Sequence, residues 1–265
     1  MPAAEPDALV LTSCMSPSMD GWCRELAAYL EGRLGRPVRA ALDPPWQERE
    51  RMLVAGQAHL GWICGLPYVR LAGVLEPLAA PVMAAPRYQN RPVYFSDVVV
   101  RREDPFRRLE DLRGAAWAYN EPNSHSGYGV VRCELARRGL GMEMFGKVVE
   151  AGAHVNSIEM ILGGEADASA IDSTVLELEL KKRPELGEKL RSIETFGPSP
   201  MPPWTAPRSL PEGVRAALRD ALVGMERDAE GRGLLQRGGL RRMAAVRDED
   251  YELIREMGRI GGVEV

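Results

Sequence analysis

The sequence has little of what metal sites and disulfide frameworks require. Only four cysteines and three histidines occur among its 265 residues. They are Cys14, Cys23, Cys64, Cys133, His59, His125 and His154. The cysteines are widely spaced and form no CxxC pair, so neither a metal site nor any other cofactor is predicted. A disulfide between Cys14 and Cys23 fits the spacing but is not required by it, and buried thiols are the preferred interpretation.

Sequence signals for nucleic-acid binding, membrane insertion and export are also missing. The 34 basic and 38 acidic residues give a net charge of -4 and form no basic run, so nucleic-acid binding is not predicted. The apolar runs are far shorter than a bilayer crossing, so no membrane span is predicted. The start, MPAAEPDALVLTSC, has neither the basic segment nor the apolar core of a signal peptide. We expect a periplasmic or other extracytoplasmic location if a signal peptide has been removed, and a cytoplasmic location otherwise.

What the chain does contain is a repeated alternation of strand and helix patterns. Hydrophobic residues make up 45% and charged residues 27% of the chain, as in ordinary globular proteins of one large or two small domains. The alternation runs from residue 7 to 64 and restarts after one long apolar segment, Val93–Val100. Strands are expected at 7–13, 37–42, 59–64, 115–119, 147–151 and 166–171, with helices between them. This alternation predicts an α/β fold with helices on the faces of parallel sheets.

Two lobes are predicted from the places where the chain passes between these halves. The first crossing is Val93–Val100, and the second lies near Ile193–Trp204 and contains a proline-rich turn. We expect lobe I to contain residues 1–95 and 203–265, and lobe II residues 96–202. Two helices are expected to close the chain, one from Ser209 or Pro211 and one from Asp248. Two crossing segments are typical of a hinge.

The stretch from Ala116 to Gly139 predicts an anion site. An apolar strand is followed by a loop of cap and turn residues and then by a helix. The first-turn amides of a helix have no partner within the helix, and the macrodipole adds partial positive charge there. Ser124 and Ser126 add hydroxyl donors, and Gly127 lets a ligand approach the backbone. By itself the same pattern also fits an ordinary N-cap that binds only its own helix.

Other candidate contacts lie in loops that follow predicted strands. Ligand crevices in open α/β sheets lie at the carboxyl ends of the strands. In lobe I this rule points to loops 13–20 and 64–68, where Ser16 and Tyr68 lie, with Trp22 just beyond the first loop. Among the other tryptophans, Trp62 lies in an apolar strand and is expected to be structural, whereas Trp204 is expected near the crevice.

Several segments, in their order and spacing, resemble a known family. They are LTSCMSP, AYLEGRLGRPV, AGQAHLGWICGLPYV, VYFSDVVVRRED, LEDLRGAAWAYNEPNSHSG, GAHVNSIEMILGGEADASAID and FGPSPMPP. Together they resemble the phosphate-, phosphite- and phosphonate-type substrate-binding proteins of ABC transporters, over most of residues 7–205. The resemblance implies a two-lobed periplasmic-binding-protein-like fold of type II.

The resemblance also implies roles for individual residues. The segment Ser124–Gly127 would hold the oxyanion, and His154 and Tyr94 would add contacts. Asp172 would receive a ligand ammonium group, as the acid at this position does in aminophosphonate binders. Each has a structural alternative: Tyr94 as a packed sheet residue, and His154 and Asp172 as helix caps. His125 departs from the family, which commonly has a small hydroxyl residue there, and its ring would narrow the pocket or add a donor.

The function predicted from these observations is binding without catalysis. The chain would close over a small oxyanion or phosphonate-like ligand as a monomer and deliver it to an ABC permease. The ligand is left open among phosphate, phosphite, a phosphonate and a larger organic anion. Two alternatives remain: an enzyme on the same fold, of the menaquinone- or thiamine-precursor biosynthesis type, and a ligand sensor for a regulatory partner. The enzyme is disfavoured because no nucleophile–base pair is evident, and no catalytic residue is predicted.

Overall fold

The first elements follow the apolar segments that the sequence predicts. In the computed structural model, which describes residues 5–265, the elements up to residue 83 are β1 (Leu9–Ser13), α1 (Asp20–Leu34), β2 (Val38–Ala40), α2 (Trp46–Val54), β3 (Leu60–Trp62), α3 (Gly65–Leu71) and β4 (Leu75–Met83). Helix α1 ends where Gly35 adopts a positive φ of 63°, a conformation that suits glycine. Helix α2 begins directly after Pro45, whose fixed φ suits a helix start.

The middle of the chain repeats the alternation. Its elements are β5 (Val93–Arg101), β6 (Ala116–Tyr119), α4 (Val130–Arg137), β7 (Lys147–Glu150), α5 (His154–Gly163), β8 (Ala168–Asp172), α6 (Ser173–Lys182), α7 (Leu186–Lys189) and β9 (Leu190–Pro200). A π-helical turn, His125–Gly129, leads directly into α4. The helix predicted from Ser126 therefore exists, but its first turn is wider than an α-helical turn.

The last part of the chain contains three elements that the sequence analysis does not predict. Its elements are β10 (Trp204–Pro207), α8 (Glu212–Val223), α9 (Ala229–Arg237), β11 (Leu240–Ala245) and α10 (Glu252–Gly261). Strand β10 follows the proline-rich run that was predicted as a turn, helix α9 has weak apolar periodicity, and β11 (LRRMAA) has no β-branched residue. Packing against neighbouring elements sets such segments more than local propensity does.

The chain divides into two compact units, each with its own sheet. Unit 1 contains the residues up to Val93 together with Pro200–Glu252, and unit 2 contains Tyr94–Ser199 and Leu253–Val265. The C-terminal segment differs from the expected lobe I assignment. In unit 2 the Arg132 Nε donates to the Gly261 carbonyl at 2.7 Å, and Met257 packs into the same core as Val131.

Unit 1 is built on a six-stranded mixed sheet. The strand order is β11-β4-β10-β3-β1-β2. Strand β1 pairs in parallel with β2 and β3, as the alternation predicts, whereas β10 and β11 are antiparallel to β4. Trp22, Trp62 and Trp204 pack together in its core, with the Trp62 and Trp204 rings stacked at 5.3 Å between centroids.

Unit 2 is built on a five-stranded sheet that positions the candidate site. The strand order is β7-β6-β8-β5-β9. Strand β6 is parallel to β7 and β8, and β5 is antiparallel to β8, with Ser96 opposite Asp172. One sheet face packs with α4 through Trp117 and Val131, and residues of the other face, such as Ile171, pack with α5. The carboxyl ends of β6 and β8 therefore lie together, where crevice loops are expected.

A buried arginine holds the loops at the carboxyl ends of β1 and β2. Arg49 on α2 is 7% exposed and donates to the carbonyls of Ser13 at 2.7 Å, Pro44 at 2.6 Å and Leu42. It also contacts the Asp20 carboxylate at 3.3 Å. One guanidinium thus satisfies three carbonyls and one carboxylate, which fixes the two loops against α2.

Replacing this arginine is expected to destabilise the protein strongly. In the Arg49→Met variant the carbonyls and Asp20 lose their shared donor, so the free energy of unfolding should fall by about 3 kcal/mol or more. Urea unfolding followed by tryptophan fluorescence measures this. Arg51→Met is the matched control, because Arg51 is exposed on the same helix, where it forms an ion pair with Glu48 at 3.0 Å and donates to the Gln47 carbonyl at 3.4 Å, so a change below about 1 kcal/mol is expected. Equal effects of the two variants would contradict the role given to Arg49.

Candidate functional site

The candidate site is built around the π-helical turn of unit 2. Ser124 caps this turn, because its Oγ accepts a hydrogen bond from the Gly127 amide at 3.1 Å. The Gly129 amide donates to the Ser124 carbonyl at 3.0 Å, five residues back, which is the spacing of a π turn. Turns of this type are frequent at functional sites. The cap is therefore Ser124, and the two serines of the predicted anion site lie within one turn.

Ser126 connects this turn to the start of α5. Its Oγ lies 2.9 Å from His154 Nε2 and 3.4 Å from the Ser124 Oγ. Burial lowers the pKa of His154 to about 4, so its imidazole is neutral at pH 7. The other ring nitrogen, Nδ1, is buried and has no hydrogen-bond partner among the described residues. The structure thus brings together three of the predicted site residues as uncharged hydrogen-bonding groups.

His125 is buried and contacts other strands of unit 2. The residue is 1% exposed, and its Nε2 lies 3.0 Å from the Ser199 Oγ on β9. Its ring meets Tyr94 edge to face, with 6.5 Å between centroids. Burial lowers the pKa of His125 to about 4. His125 therefore ties the turn to β5 and β9, a role that nothing in the local sequence indicates, because Ser199 lies in the segment predicted as a turn.

Gly127 is required by close packing. A Cβ atom built at this position would lie 2.0 Å from Asn120 Oδ1 and 3.1 Å from His154 Cε1. The first distance is too short for any real Cβ atom, so the Asn120 side chain would have to move, and the second is a tight contact. Gly127 therefore lets the Asn120 side chain and the His154 ring lie directly on the backbone of the turn.

Asp172 is at once a helix cap and a buried acid. Its Oδ1 accepts hydrogen bonds from the Thr174 amide at 2.8 Å and the Thr174 hydroxyl at 2.7 Å, so it caps α6 as the structural alternative expected. Burial raises the pKa of Asp172 to about 6, against the opposing effect of the Thr174 hydrogen bonds. Its strand, β8, packs against the π-helical turn. Asp172 is thus a carboxyl group that titrates close to neutral pH.

The three candidates of unit 1 lie apart from this cluster in the chain, and each has contacts within its own unit. Trp22 is 7% exposed, and its indole N–H donates to the Leu234 carbonyl at 2.9 Å, so it is a core residue. The Tyr68 hydroxyl donates to Asp248 Oδ1 at 2.5 Å. The Ser16 hydroxyl lies 3.0 Å from the Ser18 hydroxyl. These contacts give no support to a ligand role for Trp22 or Tyr68. Trp204, expected near the crevice, is fully buried.

The cysteines and the remaining ionisable groups add no second site. None of the four cysteines forms a disulfide, and two of them, Cys14 and Cys64, are half-buried rather than buried. Within residues 5–265 there is no group of three or more His, Cys, Asp or Glu side chains arranged to hold a metal ion. Over the same residues, none of the helices combines the length and apolar character that a membrane crossing requires.

The low pKa of His125 predicts a stability that falls as the pH is lowered. Its pKa is about 4 in the folded protein and about 6.5 in an unfolded chain, so between these values the unfolded state binds the extra proton. Acidification from pH 7 to pH 5 should therefore lower the free energy of unfolding by about 2 kcal/mol through the protonation of His125 in the unfolded state. Asp172 acts in the opposite direction, because its raised pKa makes the folded state bind more protons below about pH 6.

Comparison with His125→Gln isolates this contribution, since both proteins contain Asp172. Urea unfolding measures the free energy of unfolding at pH 7 and at pH 5. Its decrease between these pH values should be about 2 kcal/mol smaller for the variant than for the wild type. His59→Gln removes a half-buried imidazole whose pKa is lowered by burial, so it should reduce the pH dependence less. A His125→Gln variant with the pH dependence of the wild type would show that His125 is not held neutral.

Comparison with solved structures identifies the fold. A binding protein component of an ABC phosphonate transporter from Pseudomonas aeruginosa has a TM-score of 0.84 at 17% identity, covering 98% of this chain and 87% of that chain. PhnD1 from Prochlorococcus marinus in complex with methylphosphonate has a TM-score of 0.79 at 18% identity, covering 96% and 98%. XAC2383 from Xanthomonas citri bound to ATP has a TM-score of 0.79 at 18% identity, covering 97% and 98%. The predicted α/β fold of the type II periplasmic binding proteins is confirmed.

A family model provides the stronger evidence. The model described as "ABC transporter, phosphonate, periplasmic substrate-binding protein" matches residues 12–251. The resemblance noted in the sequence is confirmed, and so is the prediction of a solute-binding protein, since the family is not one of enzymes. Membership of this family also implies an extracytoplasmic location. The chain belongs to the family of periplasmic substrate-binding proteins of phosphonate ABC transporters.

Proposed function

We propose that this chain binds the anionic head group of a phosphonate through the π-helical turn of unit 2. The observation that carries the proposal is the hydrogen-bonded group of the buried Ser124 and Ser126, at the start of the turn, with the half-buried His154, at the start of α5. The turn continues into α4, so the amides at its start lie at the positive end of one continuous helical segment. A helix start with serine hydroxyls beside it is suited to an anion.

The proposed site neutralises the anion with dipoles rather than with a cationic side chain. The hydrogen bonds of Ser124, Ser126 and His154 are all to neutral partners. His154 has a pKa of about 4, so at pH 7 it acts as a neutral hydrogen-bonding group. Hydrogen bonds to a charged acceptor are stronger than those between neutral groups, so a few convergent donors are sufficient to hold a tetrahedral anion.

The proposed ligand class is a small phosphonate, and phosphate and phosphite remain competitors with the same head-group chemistry. The Prochlorococcus marinus relative was solved with methylphosphonate, which supports this choice. We propose delivery of the ligand to the permease of an ABC transporter by a monomeric protein in the periplasm. Tyr94, which lies against His125, is proposed to help shape the site from β5.

Removal of one hydroxyl tests the proposed head-group site. Ser126→Ala should weaken the binding of methylphosphonate and of inorganic phosphate by about 10- to 100-fold, because a hydrogen bond to a charged group is lost. Isothermal titration calorimetry measures the dissociation constants. The matched control is Ser157→Ala, which removes a buried hydroxyl of α5 that lies 3.3 Å from the Ala153 carbonyl and should leave affinity unchanged. Unchanged binding by Ser126→Ala, or no binding by the wild type, would contradict the proposal.

The protonation of Asp172 tests whether the ligand carries an ammonium group. With a pKa of about 6, Asp172 is half protonated near pH 6. An ammonium group beside it would favour the carboxylate and release a proton, whereas an alkylphosphonate anion would favour the neutral acid and take up a proton. Calorimetric titrations at pH 6 in buffers of different ionisation enthalpy measure this exchange.

We expect the wild type to release more protons than Asp172→Asn on binding an aminoalkylphosphonate, and to take up more on binding methylphosphonate. Subtracting the variant removes the titration of the ligand itself. Asparagine is also a good N-cap, so the variant keeps the cap of α6. Identical proton exchange by the two proteins would exclude Asp172 from the ligand's surroundings.

A further inference from the structure

Asn120 lies at the same turn as the proposed head-group site, although neither the sequence pattern nor the family resemblance assigns it a role. It directly follows β6, at the carboxyl end of the strand. Its side chain is packed on the backbone of Gly127, where a Cβ atom would lie 2.0 Å from Asn120 Oδ1 and 3.0 Å from its Cγ. The His154 Cε1 is 3.1 Å from the same point. Asn120 and His154 therefore both pack on the same residue of the turn.

The side-chain oxygen of Asn120 is buried without a hydrogen-bond partner among the described residues. The residue is 8% exposed. A buried amide oxygen without a partner costs free energy of folding, and an apolar side chain would fill the space without this cost. The unsatisfied oxygen is therefore poorly explained if Asn120 is only a spacer beside Gly127.

The second unsatisfied atom at this place has the same character. His154 Nδ1 is also buried without a partner, while its Nε2 is bonded to Ser126. Two neutral polar groups with unused hydrogen-bonding capacity thus lie beside Gly127, whose amide is held by the Ser124 cap. Buried polar groups of this kind are normally satisfied. An anion at the turn can accept a hydrogen bond from His154 Nδ1 when that nitrogen carries the proton, but it offers no proton to Asn120 Oδ1.

We propose that Asn120 is a further ligand-binding residue, whose side-chain amide donates a hydrogen bond to the phosphonate head group. The inference rests on the proposed function. With Oδ1 against Gly127, the amide nitrogen is the polar atom of this side chain that can reach an anion. A neutral donor at this position fits the other groups of the turn, whereas a carboxylate there would repel the ligand.

Two substitutions of nearly the same shape test the proposal. Asn120→Leu keeps the branching of the side chain but removes the donor, and binding of methylphosphonate should weaken about 10-fold. Asn120→Asp replaces the donor by a negative charge, and binding should weaken by roughly 100-fold or more. Asn156→Asp is the matched control, because Asn156 is exposed on α5, two residues after His154. This substitution introduces the same charge without contact to Gly127. It should weaken binding no more than about twofold.

The outcomes separate this inference from the proposed function. If the wild type binds neither methylphosphonate nor inorganic phosphate, the proposed function fails and the role of Asn120 fails with it. If the wild type binds and Ser126→Ala does not, but Asn120→Leu binds within twofold of the wild type, only the role of Asn120 is overturned. Thermal denaturation without ligand checks that the variants are folded.

A measurement on the wild type removes the dependence on variant folding. The side-chain NH₂ signals of Asn120 in a nitrogen-15 NMR spectrum should shift on titration with methylphosphonate, while those of Asn156 stay in place. Unmoved Asn120 signals at saturating ligand would overturn the proposal.

Discussion

The hydrogen bond between Ser126 and His154 is the contact on which the proposed site depends. It joins the π-helical turn before α4 to the first residue of α5, so two helix starts present polar groups to one place. The bond works at pH 7 without charge, because burial keeps the pKa of His154 near 4. His125 is neutral for the same reason. A buried imidazole without a carboxylate partner gives up its proton, and the turn then offers hydrogen bonds and helix amides instead of a cation.

The sheet of unit 2 explains why these groups converge. Strands β6 and β8 run in parallel, so the loops at their carboxyl ends meet at one edge of the sheet. The helical segments that follow them therefore start close to each other: Ser124 caps the π-helical turn before α4, and Asp172 caps α6. Strand β5 adds Ser96 directly opposite Asp172. The polar residues at this edge of the sheet are therefore supported by the apolar core of the same unit, which contains Trp117 and Val131.

Much of this arrangement could be predicted from the sequence, because it is encoded locally. Helical spacing, the cap residues around Ser124 and the glycine at 127 all lie within a few residues of one another, and the parallel strands follow from the strand–helix alternation. The contacts that sequence reasoning missed are between distant segments. His125 was expected to face the ligand, but its nitrogen is bonded to Ser199, 74 residues away. Trp22 was expected at a crevice, but Leu234, 212 residues away, accepts its N–H. Local pattern contains no information on such partners, and β10 and β11 were missed for the same reason, since their pairing with β4 defines them.

A site composed of neutral donors has a consequence for selectivity. A cationic clamp attracts every anion of suitable size through its net charge, and this attraction is long-ranged and only weakly directional. Hydroxyl, imidazole and amide donors act over hydrogen-bond distances and require acceptor atoms in particular directions. Such a site therefore discriminates by the positions of the ligand's oxygen atoms more than by its charge. In the proposed site, Asp172, buried and half ionised near pH 6, is a group whose charge would respond to the rest of the ligand. This arrangement of β6, β8 and their helices thus allows the head group to be recognised by the positions of its oxygen atoms and its substituent to be recognised by its charge.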